Sequence, residues 1–90
     1  MFGLKESAII EIKDVLKKNN ISTSIIFGSR AKNTYKNGSD IDIAILGDEK
    51  KISYLLNEES SLPYFFDVIN LEKIKNKNLK EHINRIGIAI

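Results

Sequence analysis

Residues 25–45 read IIFGSRAKNTYKNGSDIDIAI, and this stretch decides the fold. Two β-rich segments flank a glycine–serine turn and a polar loop, in which Asn37-Gly38 is a turn signal. In the second segment, isoleucines alternate with Asp40, Asp42 and Ala44. Because side chains alternate between the two faces of a strand, this pattern predicts one apolar face and one face with two neighbouring carboxylates.

Length and composition limit the classes of protein to consider. The 90 residues suffice for one small domain, which we predict to span 1–90, and 42% hydrophobic with 29% charged residues is ordinary for a globular protein. The absence of cysteine excludes disulfides and thiolate metal sites. No apolar run is long enough for a membrane span, and MFGLKESAII lacks the apolar core of a signal peptide, so we expect a cytoplasmic protein.

The net charge gives little support for nucleic-acid binding. A formal charge of +2 is too small to indicate such a partner by itself. Lys73, Lys75, Lys77 and Lys80 supply a modest basic cluster, but their spacing scatters them around a helix. Direct binding to nucleic acid is therefore not expected.

The first half of the chain predicts a helix followed by two strands. Apolar residues three and four positions apart indicate an amphipathic helix within 4–20. A β-branched run predicts the first strand over 21–27, a short helix is expected through Ala31, and the second strand occupies 40–46. Asp48 has the position of a cap for the next helix.

The second half completes a mixed sheet. The segment 64–71, YFFDVINL, predicts a third strand. Asn78 and Glu81 have the spacing of a capping box for a last helix, which Gly87 ends before a short edge strand over 88–90. This order predicts an α/β (α+β) fold: a small mixed β-sheet with helices packed on one face.

Three aspartates occupy strand positions where carboxylates are costly. Asp40 and Asp42 share one strand face with α-carbons about 6.5 Å apart, and Asp67 lies between Phe66 and Val68 in the third strand. Neighbouring carboxylates repel unless a cation sits between them. Mg²⁺ takes carboxylate oxygens and leaves positions for substrate phosphates, so the pattern indicates a magnesium site.

A glycine–serine pair begins the turn upstream of these aspartates. Gly28 allows the backbone to approach a ligand closely, and the hydroxyl of Ser29 is a donor suited to a phosphate oxygen. Arg30 could neutralise phosphate charge or pair with an acidic group of a partner. The sequence contains neither a Walker loop nor a Gly-x-Gly-x-x-Gly motif.

Each feature alone also has an ordinary structural interpretation. Asp-x-Asp at a strand edge often satisfies backbone N–H groups, Asp67 could form an ion pair, and Ser29 could cap a short helix. The conjunction of all three favours a functional site. By contrast, His82 is interpreted as a residue at the boundary of the last helix rather than a ligand, and Tyr35 and Tyr64 as weak candidates for stacking on a base.

The motif Gly28-Ser29, ten residues, Asp40-x-Asp42 resembles the signature of the nucleotidyltransferase superfamily related to DNA polymerase β. The stretch FGSRAKNTYKNGSDIDIAI, with FFDVINL downstream, is similar to the minimal nucleotidyltransferase (MNT) antitoxins found beside HEPN-domain toxins. The resemblance covers essentially the whole chain. One departure is Asn33, where the family usually has glycine, and Asn tolerates the left-handed conformation better than other residues.

The resemblance implies a catalytic role for the aspartates. Asp40 and Asp42 would bridge two Mg²⁺ ions that arrive with ATP, and Asp67 would complete the second metal site and accept a proton. Gly28 and Ser29, with Arg30 beside them, would hold the phosphates.

The resemblance also implies a protein partner. Relatives transfer AMP from ATP to a tyrosine of a HEPN ribonuclease toxin, and nothing in the 90 residues is left over for a separate acceptor domain. The expected function is therefore an AMP-transferring antitoxin. A non-catalytic antitoxin that neutralises its toxin by binding alone is the alternative.

Overall fold

A four-stranded sheet organises the chain in the computed structural model, which describes residues 1–90. The elements are α1 (Glu6–Lys18), β1 (Ser24–Phe27), α2 (Gly28–Ala31), β2 (Ile41–Ile45), α3 (Glu49–Tyr54), β3 (Phe66–Asn70), α4 (Lys77–Ile86) and β4 (Ile88–Ala89). A π-helical turn over Leu55–Glu59 extends α3, and a 3₁₀ turn over Leu71–Lys73 follows β3.

The strands lie in the order β3-β2-β1-β4. β1 pairs antiparallel with both β2 and β4, whereas β2 pairs parallel with β3. The parallel pair needs a crossover connection, which α3 and its π-helical turn supply. The predicted mixed sheet is confirmed.

The sheet has two apolar faces rather than one. Ile41, Ile43 and Ile45 are fully buried on the face that packs against α1 and α3. On the opposite face, Phe27 and Ala44 pack against Ile83 of α4. The prediction that all helices share one face is therefore corrected: the stripe of Ile83 and Leu79 on α4 covers part of the second face because Ala44 leaves room for it.

The helix starts follow simple capping rules. The side chain of Asp48 accepts a hydrogen bond from the Lys51 N–H at 3.1 Å, as predicted. The start of α4 differs from the prediction: the side chain of Asn76, not a capping box of Asn78 and Glu81, accepts from the first free N–H groups of the helix. Asn76 lies directly before the first helical residue, which is the position from which a side chain reaches those groups.

A single asparagine occupies the outer edge of β3. The side chain of Asn57 donates to the carbonyl of Phe66 at 2.9 Å and accepts from the N–H of Phe66 at 2.7 Å. The Asn57 amide therefore pairs with both backbone groups of Phe66 to which an additional strand would have to bind. Such caps protect an edge strand against pairing with another chain.

No helix of the structure combines the length and the apolar character that a membrane span requires.

Candidate active site

The sheet register places two of the three predicted aspartates side by side. Asp42 of β2 is the cross-strand neighbour of Asp67 in β3 and of Phe27 in β1. Neighbours in one row point to the same face, and adjacent strands lie about 4.8 Å apart. Asp40 directly precedes β2, two positions before Asp42 and on the same side. The three carboxylates thus lie at one end of the sheet, on the face that α4 partly covers.

These carboxylates are less buried than the sequence predicted. Asp40 and Asp67 are exposed, and only Asp42 is partly buried. The strong penalty expected for Asp67 is absent because it lies on an edge strand, beyond the area that α4 covers.

The acidic groups have no basic partner within the chain. The two ion pairs of the structure are Lys18–Asp14 and Lys73–Glu49, both elsewhere. The predicted alternative of an ion pair at Asp67 is therefore not observed. Unpaired carboxylates on neighbouring strands favour the binding of an external cation.

Asp42 is the carboxylate most affected by this arrangement. Partial burial raises its pKa above the usual range, the negative charges of Asp67 and Asp40 raise it further, and His82 acts in the opposite direction. The sheet register, which places Asp67 beside Asp42, accounts for this effect on Asp42. A bound cation would reverse the effect, since it favours the ionised form.

The glycine turn lies directly against Asp42. Gly28 has a φ of +74°, and a Cβ atom at this position would overlap the carboxylate oxygen Oδ2 of Asp42. Glycine is therefore required both for the left-handed backbone and for the close approach. Ser29 follows, and its hydroxyl makes no hydrogen bond within the chain, so it is free to meet a ligand.

Arg30 does not lie in this site. Its side chain is 3% exposed, Nε and Nη2 donate to the Ser39 carbonyl at 3.1 and 2.9 Å, and Nη1 donates to the Phe2 carbonyl at 2.9 Å. The rings of Tyr35 and Tyr64 lie 5.2 and 5.0 Å from the guanidinium carbon. The predicted phosphate contact is wrong, because the guanidinium is enclosed and used by carbonyls and rings.

Arg30 instead fixes the loop that leads to the aspartates. Ser39, which accepts two of its hydrogen bonds, immediately precedes Asp40. The rings of Tyr35 and Tyr64 both pack against the Arg30 guanidinium, so neither ring is free to stack on a base in this arrangement. Asn33 adopts φ +63°, so the asparagine does take the left-handed conformation expected at that position.

His82 reaches the site from α4, which the sequence did not predict. The N–H of Gly28 donates to its Nε2 atom at 3.3 Å, and its ring meets that of Phe27 edge-on with centroids 6.2 Å apart. His82 lies 54 positions from Gly28, so no local spacing could have indicated the contact.

The carboxylates do not form a closed metal site of three protein ligands. No group of three histidine, aspartate or glutamate side chains is arranged to hold a metal ion as it stands. The fold places Asp42 and Asp67 side by side with Asp40 nearby, but the three carboxylates do not surround one point as the sequence suggested. Mg²⁺ fits such a set, because it is commonly held by one or two carboxylates together with substrate phosphates and water.

Comparison with known families agrees with this geometry. The sequence profile of the family described as "Polymerase beta, Nucleotidyltransferase" matches residues 11–90. The chain belongs to the polymerase β nucleotidyltransferase family. The matched residues include the glycine turn, Asp40, Asp42 and Asp67.

Three solved structures with a similar fold are toxin–antitoxin proteins. The crystal structure of a toxin–antitoxin with AMP-PNP is 25% identical to this chain, with a TM-score of 0.72. The match covers 96% of this chain and 72% of the other. An MntA–HpeT mutant with a tyrosine-to-alanine change is 25% identical, with a TM-score of 0.70 over 97% of this chain and 72% of the other. A second MntA–HpeT mutant, in which two aspartates are replaced by glutamate, is 23% identical and shows the shared fold, with a TM-score of 0.70 over 96% and 72% of the two chains.

Among curated proteins, none matches the chain.

Proposed function

We propose that this protein is a Mg²⁺-dependent nucleotidyltransferase that acts as an antitoxin, transferring AMP from ATP to a tyrosine of a HEPN ribonuclease toxin. The observation that carries the proposal is the row formed by Asp42 and Asp67, two carboxylates without basic partners beside the Gly28-Ser29 turn. Membership of the nucleotidyltransferase family and similarity to a toxin–antitoxin with AMP-PNP support it.

Asp40, Asp42 and Asp67 would hold magnesium together with the triphosphate. When bound, Mg²⁺ supplies positive charge that orients the triphosphate and stabilises the developing charge of the leaving group. The carboxylates would hold the ion, and with it the triphosphate, at this end of the sheet. Gly28 and Ser29 would hold the β- and γ-phosphates: the missing side chain of Gly28 would let them approach the turn closely, and the free hydroxyl of Ser29 would donate to them.

The reaction is an in-line displacement. The tyrosine oxygen of the toxin forms a bond with the α-phosphorus, and the bond from that phosphorus to the oxygen bridging to the β-phosphorus breaks. Pyrophosphate leaves with the electron pair of this bond. Asp67 is the proposed acceptor for the hydroxyl proton, because it is the exposed carboxylate on the edge strand, where an acceptor protein has access.

Labelling of the toxin tests the proposal. Incubation of toxin with the protein, Mg²⁺ and ATP labelled at the α-phosphate is expected to label a toxin tyrosine, and Asp42→Ala is expected to abolish the label. Asp14→Ala, which removes an exposed carboxylate far from the site, is the matched control and should label normally. Labelling that persists in the Asp42→Ala variant would exclude the mechanism.

Neutralisation by binding alone is the second candidate. Tyr54 and Phe65, which are 55% and 54% exposed, line a cleft of about 760 Å³ between α3 and β3. Large exposed apolar side chains favour a protein contact. If the Asp40→Ala/Asp42→Ala double variant protects cells from the toxin as well as the wild type does, binding and not transfer explains the antitoxin activity.

A further inference from the structure

His82 connects α4 to the glycine turn through two contacts with consecutive residues. Its Nε2 atom accepts the hydrogen bond from the Gly28 N–H, and its ring packs edge-on against Phe27 at an interplanar angle of 81°. Phe27 is the last residue of β1, and Gly28 begins α2. The imidazole therefore holds the point at which the strand changes into the turn.

The position of this turn decides the shape of the acidic site. A Cβ atom at Gly28 would overlap the Asp42 carboxylate, so a small movement of the turn changes the space beside that carboxylate. α2 has only four residues and no side-chain cap at its start, and it cannot fix its own orientation strongly. Arg30 anchors the later part of α2 through its hydrogen bonds to Phe2 and Ser39, and His82 supplies the anchor at the first residue of the turn.

The neighbouring residue of α4 makes the anchor rigid. Ile83 is 2% exposed and packs with Phe27 and Ala44, so the backbone next to His82 is fixed against the sheet. Since Nε2 accepts a hydrogen bond, the proton of the neutral ring lies on Nδ1.

We propose that His82 is a positioning residue of the nucleotide site, which holds the Gly28-Ser29 turn at the place where it can bind a triphosphate beside Asp42. This inference rests on the proposed nucleotidyltransferase function. It assigns a role in that function to α4, an element that contributes none of the motif residues.

A pair of variants separates the hydrogen bond from the packing. His82→Gln keeps an acceptor near the position of Nε2, whereas His82→Met has similar volume and helix propensity but no comparable acceptor. Binding of Mg²⁺ with AMP-PNP is measured by calorimetry for both. The methionine variant is expected to bind about 10- to 100-fold more weakly, as is typical when a group that orients a site is removed, and the glutamine variant is expected to stay close to wild type.

The contact itself has a separate readout. Hydrogen exchange of the Gly28 amide, followed by NMR without nucleotide, is expected to accelerate in His82→Met and to remain slow in His82→Gln. Asn84→Met changes an exposed residue of the same helix and should alter neither measurement. If His82→Met does not unfold cooperatively, His82→Phe, which keeps a ring against Phe27 without an acceptor, replaces it.

The outcomes distinguish this inference from the function on which it rests. If the wild type binds Mg²⁺ with AMP-PNP, and the folded His82→Met or His82→Phe variant binds it equally or more tightly, the role of His82 is overturned. The proposed function then still stands. Absence of binding by the wild type would overturn the proposed function and the role of His82 with it.

Discussion

Replacing Asp42 by asparagine is expected to stabilise the nucleotide-free protein at neutral pH, although it removes a residue of the proposed active site. The reason is that Asp42 is partly buried beside two other carboxylates and has no basic partner. Asparagine has nearly the same shape without the charge. A residue that serves binding at a cost in folding stability should show this opposition between stability and function.

The magnitude follows from the repulsion between Asp42 and Asp67. Two unit charges on adjacent strands, about 4.8 Å apart, repel by about 1 kcal/mol at the dielectric constant of water, which is appropriate because Asp67 is exposed. Burial of Asp42 adds in the same direction. For a domain of this size, about 1 kcal/mol raises the midpoint of thermal unfolding by about 4–8 °C.

The stabilising effect of Asp42→Asn depends on pH. Burial, Asp67 and Asp40 raise the pKa of Asp42 in the folded state, so the folded protein binds the proton more tightly than the unfolded chain. Stability is therefore lost as the pH rises from the unfolded pKa, about 3.9, through the raised folded value, and the loss persists at neutral pH. The advantage of Asp42→Asn should be present at neutral pH and disappear below the unfolded pKa.

Thermal unfolding across this pH range is the assay, with Asp14→Asn as the control. Asp14 pairs with Lys18 at 2.9 Å on the surface of α1, so its neutralisation should slightly destabilise the protein. Adding Mg²⁺ and AMP-PNP should raise the unfolding midpoint of the wild type but not of Asp42→Asn. Two results would refute this explanation. One is a lower unfolding midpoint of Asp42→Asn at neutral pH, and the other is an equal rise of the midpoint above and below the titration of Asp42.

The remaining predictions concern the residues that support the site. Arg30→Lys keeps the charge but loses the planar fork, and urea unfolding should show a loss of about 2 kcal/mol; an unchanged denaturation midpoint would contradict a stabilising role of the Arg30 hydrogen bonds to Ser39 and Phe2. Asn57→Leu should lower stability by about 1–3 kcal/mol, because both backbone groups of Phe66 lose their partner, and should increase light scattering on heating; a monomeric variant of full stability would show that the edge needs no cap. Gly28→Ala should destabilise by about 1–2 kcal/mol through its left-handed backbone and should weaken Mg²⁺–AMP-PNP binding through the overlap with Asp42; wild-type affinity would mean that the turn does not shape the site.

Local patterns were sufficient for much of the architecture. The alternation of isoleucine with aspartate in β2 fixed which residues face the main core, because a strand has a period of two. Asp48 capped α3 as its position indicated, and Asn33 took the left-handed conformation. Family membership also followed from one motif, since the glycine turn, Asp40 and Asp42 lie within 15 residues, Gly28 to Asp42.

Long-range packing decided what the motif residues touch. Arg30 lies next to the glycine turn in the sequence, yet its side chain points to the carbonyls of Phe2 and Ser39. His82 has no local signal, yet it reaches Gly28 because α4 crosses the second face of the sheet. The sequence alone determined the strands, the acidic face and the family, since these depend on neighbours along the chain. Only the tertiary structure determined the burial of each carboxylate and the partners of Arg30 and His82, because those depend on which distant surfaces the core brings together.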